Sequence, residues 1–415
     1  MPEFVFRPLL DISRRQAVLF CLALTAFELL AYLASDMVMP AMLQVTHDLS
    51  AARHHVPGAL YAFLLGGIAF QWLLGPLSDR FGRRPLLLAG TLVFSAACLA
   101  TAACQHIAGF NLLRFVQGTA LGFIVVVSYP ALQETFAERD AVRLMALFAN
   151  IALLSPLAGP LAGTLLLRVL SWREQFVALG MAGALITLAL WRWMPETARA
   201  APAPGSLRAR TMLANYAALL RQRDLVCGSL ALGLLPLPLI AWIGLSPLLI
   251  RDLGQDGLAY GLWQLPVFGA VIAGNLALNR LAARLDLPRL LRVALYPTAA
   301  GVLLLLVVAP LSPTLPALVA ALSVYAFGVG LGNATLYRLT LYSTGDATGS
   351  VAALLGMLST AMLAAGGSVL TWAGGGDSPA RFAVCAGLIP LLGAPLLRRV
   401  LRPAPAATLP CSPNR

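Results

Sequence analysis

Long blocks of apolar residues constrain this chain more than any other feature. A helix needs about 20 mainly apolar residues to cross a bilayer. Windows that meet this test lie near 17–39, 56–77, 86–104, 110–131, 143–167, 175–194, 226–250, 259–281, 291–310, 315–337, 349–370 and 380–398. They predict an all-α membrane protein with twelve spans. Composition agrees, since 59% of the 415 residues are apolar and only 11% are charged, where soluble domains carry roughly 25%. A soluble enzyme, a disordered scaffold and a secreted disulfide module are thereby excluded. The first window is too long for a cleavable signal peptide and lacks a small-residue cleavage site before its charged end.

Charge placement gives topology. All 29 basic residues are arginine, and the net charge is +12. Without lysine there is no Gly-x-x-x-x-Gly-Lys phosphate loop and no Schiff-base lysine. A balance of this sign often signals nucleic acid, but these arginines sit in short turns between apolar blocks, and no nucleic-acid partner is expected. With both termini placed in the cytoplasm, 23 arginines fall inside and five outside (Arg53, Arg168, Arg173, Arg251, Arg381), with Arg114 inside a span. Cytoplasmic loops retain positive charge, so this orientation is the expected one.

The only long inner connection, 195–223, is rich in Pro, Ala and Arg. It divides the chain into six-span halves at 1–194 and 224–400, followed by a tail at 401–415. Gly75-Pro-Leu-Ser-Asp-Arg80 closes the second span, and Gly274-Asn-Leu-Ala-Leu-Asn-Arg280 closes the eighth as a weaker copy without an acid. Repeated six-span halves with a substrate at their interface describe many secondary transporters.

Three ionisable residues stand inside the predicted spans: Glu28, Asp36 and Arg114. A charge at the bilayer centre costs about 2.5–3.5 kcal/mol on insertion scales, so each calls for a use. Glu28 lies about 12 residues into the first helix, roughly 18 Å along its axis. Asp36 lies further toward the outer mouth. Cys21, Thr25, Glu28, Tyr32, Ser35 and Asp36 form one stripe at helical spacing, which must face protein or an aqueous cavity. Alternatives stay open: Glu28 as a hydrogen-bonded packing residue, Asp36 as a cap or solvated group before Pro40, and Arg114 as a clamp on neighbouring carbonyls or a cation acting on the carboxylates. Burial and a nearby cation pull a carboxyl's proton affinity in opposite directions, which suits proton exchange. The six cysteines are dispersed, and His47, His54, His55 and His106 lie in or beside outer loops. Neither set predicts a metal site.

The run Gly75-Pro-Leu-Ser-Asp79-Arg80-Phe-Gly82-Arg83-Arg84-Pro85, between spans two and three, resembles the signature of the major facilitator superfamily. Leu113-Arg-Phe-Val-Gln-Gly118 resembles that family's arginine-bearing motif B, and Leu154-Ser-Pro156-Leu-Ala-Gly159-Pro160-Leu-Ala-Gly163 resembles its antiporter motif C. Glu28 to Pro40, Phe70 to Asp79, Ala241 to Ile243 with Ser246-Pro247, and Tyr325 to Gly330 look like the drug:proton antiporters of the family. The resemblance implies that Glu28 and Asp36 are the alternately protonated, drug-sensing carboxylates and that Arg114 takes the motif B role. It further implies that Tyr32, Phe148, Ala152, Leu153 and Leu239 help line a drug cavity. Ser35 stands where asparagine is expected, which affects polar contacts there.

The expectation is a monomeric exporter in a bacterial inner membrane. It would exchange lipophilic cationic and neutral drugs for protons, with the proton gradient as energy source and no cofactor. The alternative is a proton-coupled symporter or facilitator for a small nutrient. An intramembrane enzyme has no support, because neither His-Glu-x-x-His nor Gly-x-Ser-x-Gly is present.

Overall fold

The computed structural model describes residues 9–10, 12–197, 209–344 and 349–401. All regular structure among them is helical. Ten segments are long and apolar enough to cross a membrane, and two bent helix pairs bring the total to twelve. Span 1 is Arg14–Asp48, and span 2 joins Arg53–Ala69 to Gln71–Phe81 across a 45° bend. Spans 3 and 4 are Arg83–Ala102 and Ile107–Thr135. Span 5 joins Arg143–Ala152 to Leu154–Leu166 across a 49° bend, and span 6 is Trp172–Trp193. Spans 7 to 12 are Arg223–Asp252, Gly257–Leu281, Leu287–Leu311, Leu315–Leu341, Gly349–Trp372 and Pro379–Val400. The connection before span 7 carries a helix, Ala209–Leu220.

Local chemistry explains the ends and breaks. Spans 6, 8, 10 and 12 start on side-chain caps from Ser171, Asp256, Thr314 and Ser378, each satisfying a free N–H of the first turn. Span 1 runs past its predicted end because Pro40 converts it to a short 3₁₀ turn, Met39–Ala41, instead of stopping it. The bend in span 5 falls just before Pro156, whose missing N–H frees the carbonyl one turn back.

Packing repeats with an offset of six. Span 1 lies on spans 5 and 6, span 2 on span 4, and span 3 on span 4; span 7 lies on 11 and 12, span 8 on 10, and span 9 on 10. Glycines allow two of these contacts. A Cβ on Gly66 or Gly118 would collide with the Phe115 or Phe63 carbonyl, joining spans 2 and 4. Gly274 and Gly330 do the same for spans 8 and 10, against Phe327 and Val271. Close backbone approach is what small residues provide inside a membrane.

The halves meet through spans 2 and 11 and through spans 5 and 8. On the face away from the linker helix they are closed. Thr164 Oγ1 donates to the Gly257 carbonyl at 3.1 Å, and Arg53 pairs with Asp252 at 2.6 Å. On the linker face a cavity of about 770 Å³ lies between spans 2 and 4 and spans 10 and 11, with Asn215 and Tyr216 in its wall.

Candidate functional site

Glu28 is 0% exposed and faces protein. Its Oε1 accepts a 3.1 Å hydrogen bond from the Tyr129 hydroxyl, while its Oε2 is buried without a partner. Tyr129 follows a π-helical turn at Ile124–Ser128 and precedes Pro130. Such turns re-aim the residues after them. The Tyr129 ring lies 5.8 Å from that of buried Phe148, and Tyr129 also lines the 770 Å³ cavity. One side chain thus joins the carboxylate to the cavity wall.

Asp36 is 5% exposed, and its Oδ2 accepts a 2.8 Å bond from Ser155 Oγ. It is neither a solvated residue nor a helix cap, so those readings fall away. Span 5 can approach this point because Gly159 leaves space against the Asp36 Cβ and Gly163 leaves space against the Met37 carbonyl. Arg114, 0% exposed, donates to the Ser35 carbonyl at 3.3 Å and to Gln117 Oε1 at 2.7 Å. Its guanidinium stacks over Phe63, 4.5 Å from the ring centre. Arg114 therefore clamps span 1 beside Asp36 and forms no ion pair with either carboxylate among the described residues. These contacts supply the clamp, and the guanidinium charge also acts on Asp36, so the clamp does not replace the second role.

Tyr32 is half-buried between the two acids, Ala152 is half-buried, and Leu239 is buried in span 7. The Leu153 side chain lies outside the described residues, as do those of Arg7, Arg139, Arg199, Arg208, Arg210, Arg402 and Arg415 of the inner charge set.

The run after span 2 forms a separate charge cluster. Gly82 has φ +95°, and a Cβ there would strike the Glu196 carboxylate, so this turn requires glycine. Arg83 pairs with both oxygens of Glu134 at 2.7 Å, reaches Ser78 Oγ at 2.9 Å and lies 3.5 Å from Asp79. Glu196 accepts from the Arg83 and Arg84 backbone N–H groups at 2.9 and 3.3 Å, so it caps span 3. Arg84 donates to the Trp191 carbonyl at 2.6 Å, and Arg80 stacks on Phe81. Gly75 sits within a helix, with Val126 Cγ1 at 3.7 Å from a Cβ there. It makes neither the turn nor a close approach.

The sequence reading missed Tyr129, Ser155, Gln117, Glu134 and Glu196. The last two carried a signal, being acids at the arginine-rich ends of spans 4 and 6. Tyr129, Ser155 and Gln117 are neutral and carry none.

Residues 22–367 match the Major Facilitator Superfamily. The chain is 43% identical over 360 residues to the multidrug transporter MdfA of Yersinia pestis bv. Antiqua (strain Angola), covering 85% of this chain and 86% of that one. It is 41% identical over 397 residues to the multidrug transporter MdfA of Edwardsiella ictaluri (strain 93-146), covering 94% and 95%. Among solved structures, a D-xylose–proton symporter superposes with a TM-score of 0.70 at 15% identity, covering 92% of this chain and 97% of that one. That last likeness speaks for the fold alone. Twelve spans, six-offset packing and the match over most of the sequence place the chain in the major facilitator superfamily.

Proposed function

We propose that the chain exports lipophilic drugs from a bacterial cell by proton antiport through alternating access. The observation that carries this reading is the 43% identity to a multidrug transporter along 85% of the chain. The site is compatible with it, because a buried carboxylate, Glu28, touches the cavity wall through Tyr129. The likeness to a sugar symporter, at 15% identity, lends no weight to a nutrient substrate.

The protein sits in the inner membrane as a monomer, with both termini, the linker and the arginine-rich face in the cytoplasm. Residues 1–194 and 224–400 act as the two halves, joined by 195–223. In the state described above, the cavity opens toward the cytoplasm and the periplasmic side is closed. A cationic or neutral drug enters among apolar and aromatic side chains, where non-directional contact permits many shapes. Glu28 and Asp36 exchange protons for it. Arg114 holds span 1 in register with spans 3 and 4 while they do so. Rocking the halves exposes the drug to the periplasm, where protons displace it and reset the carrier. Each proton is worth about 2.3 kcal/mol per 100 mV of membrane potential, and no cofactor enters the cycle.

The test is Glu28→Gln in everted vesicles and in an efflux-deleted strain. Loss of drug-driven proton release together with loss of resistance is expected. Proton release equal to that of the parent protein overturns the role of Glu28. Transport of a nutrient with no resistance to any drug overturns the export reading.

A further inference from the structure

Away from the carboxylates, spans 7, 9 and 12 enclose a groove of about 480 Å³. Span 9 contributes Val302 and Leu306, span 12 contributes Leu391 and Ala394, and span 7 contributes Leu235. Small residues in the lining, Ala299 of span 9 with Gly393 and Ala394 of span 12, leave this gap where larger ones would close it. The hydroxyl of Thr298 is already bonded to the Ala294 carbonyl at 2.8 Å, so it asks nothing of a ligand. Leu303 and Leu391 on the rim are exposed, and the groove opens toward lipid.

The groove has a length and a charged end. From Pro390 to Leu401 it follows span 12 over 11 residue-to-residue steps, roughly 16 Å at 1.5 Å per step. One leaflet of hydrocarbon is about half of 30 Å. Arg398 lines the groove at its arginine-rich end and makes no ion pair among the described residues. Its neighbour Arg399 is satisfied by Asp224 at 2.6 Å. Arg292 lies on the same helical face as Leu295 and Ala299, one turn nearer that end, and among the described residues bonds the Pro288 carbonyl alone, at 3.3 Å. No carboxylate lines the groove, so a transported cation has no counter-charge there.

We propose that this groove is a binding site for one anionic phospholipid, with an acyl chain lying between spans 9 and 12 and the phosphate held by Arg398 with Arg292 nearby. The site is independent of the cargo and stands whether or not the chain exports drugs.

Native mass spectrometry of the full chain, titrated with dioleoyl-phosphatidylglycerol and with dioleoyl-phosphatidylethanolamine, tests it. The chain is expected to hold one phosphatidylglycerol in preference to phosphatidylethanolamine. Arg398→Gln is expected to weaken phosphatidylglycerol about five-fold, the worth of one arginine near an anionic headgroup, and to weaken phosphatidylethanolamine less, because its own ammonium offsets the phosphate charge. Ala394→Phe fills the groove and is expected to weaken both lipids. Because Arg398 is exposed, its variant is expected to fold, with an unchanged thermal midpoint as the check. Equal affinity for the two lipids, indifference to both substitutions, displacement of the lipid by ethidium, or a dimer that Ala394→Phe abolishes would each overturn the assignment.

Discussion

Glu28 receives one hydrogen bond where an ionised carboxylate offers about four acceptor sites, and its Oε2 is buried with no partner. A buried acceptor left unmatched costs about 1–3 kcal/mol, so the Tyr129 hydroxyl matters to both stability and function. Tyr129→Phe is expected to lower stability by about 1 kcal/mol or more, read as a lower thermal midpoint. In a Glu28→Ala background the same change strands no carboxylate and should cost much less. Equal costs in the two backgrounds would show that the hydrogen bond is not what stabilises Tyr129. Glu28 and Asp36 were legible in sequence because a charge in an apolar run is conspicuous and a helix fixes their common face. Their partners were not. Tyr129 and Ser155 come from spans 4 and 5, and nothing local records how those helices rotate against span 1. Arg114 was visible as an oddity, yet its clamp on the Ser35 carbonyl and its seat over the Phe63 ring exist only in space.

Between elements, glycines divide into those that set distances and those that do not. At Gly163 a Cβ would overlap the Met37 carbonyl, and backbone cannot swing aside as a side chain can. Gly159, one turn earlier, faces the Cβ of Asp36 itself, so span 5 carries Ser155 to the carboxylate only while both positions stay bare. Gly163→Ala is expected to force spans 1 and 5 apart, costing about 1–3 kcal/mol as overpacking does and reducing resistance. Gly75→Ala meets ordinary contact with Val126 and gains up to about 1 kcal/mol of helix propensity, so its thermal midpoint should hold or rise. Thermal unfolding of the two variants decides the matter, and the reverse order would contradict the assigned packing. The motif resemblance singled out both glycines alike, because a motif records a residue's identity and not the distance to the next helix. The same holds at the loop after span 2, where Asp79 of the motif is joined by two acids from distant positions, Glu134 and Glu196.

Alternation of the whole molecule requires that the closed face open, and the contacts across it differ in weight. The Arg53–Asp252 pair is short, but its side chains are 58% and 41% exposed, and surface ion pairs are worth about 0–1 kcal/mol. Breaking it shifts a two-state balance by at most about five-fold. Apolar fit across the same interface weighs more. Tyr61 of span 2 lies where a Cβ on Gly367 of span 11 would stand, and Leu161 of span 5 presses on Gly261 of span 8. A side chain inserted at either glycine meets backbone or a ring held on both sides, and overpacking of that kind costs about 1–3 kcal/mol, more than the ion pair supplies. Arg53→Ala should therefore leave transport within about five-fold of the parent, and Arg53→Asp with Asp252→Arg should restore it. Gly367→Leu should bias the molecule strongly toward opening on that face, read as labelling of a cysteine introduced at Leu248, buried beside the Arg53–Asp252 pair, by a membrane-impermeant maleimide added from outside. If the single charge change opens the face as widely as the wedge does, closure is electrostatic, and the packing between spans 2 and 11 follows the ion pair instead of leading it.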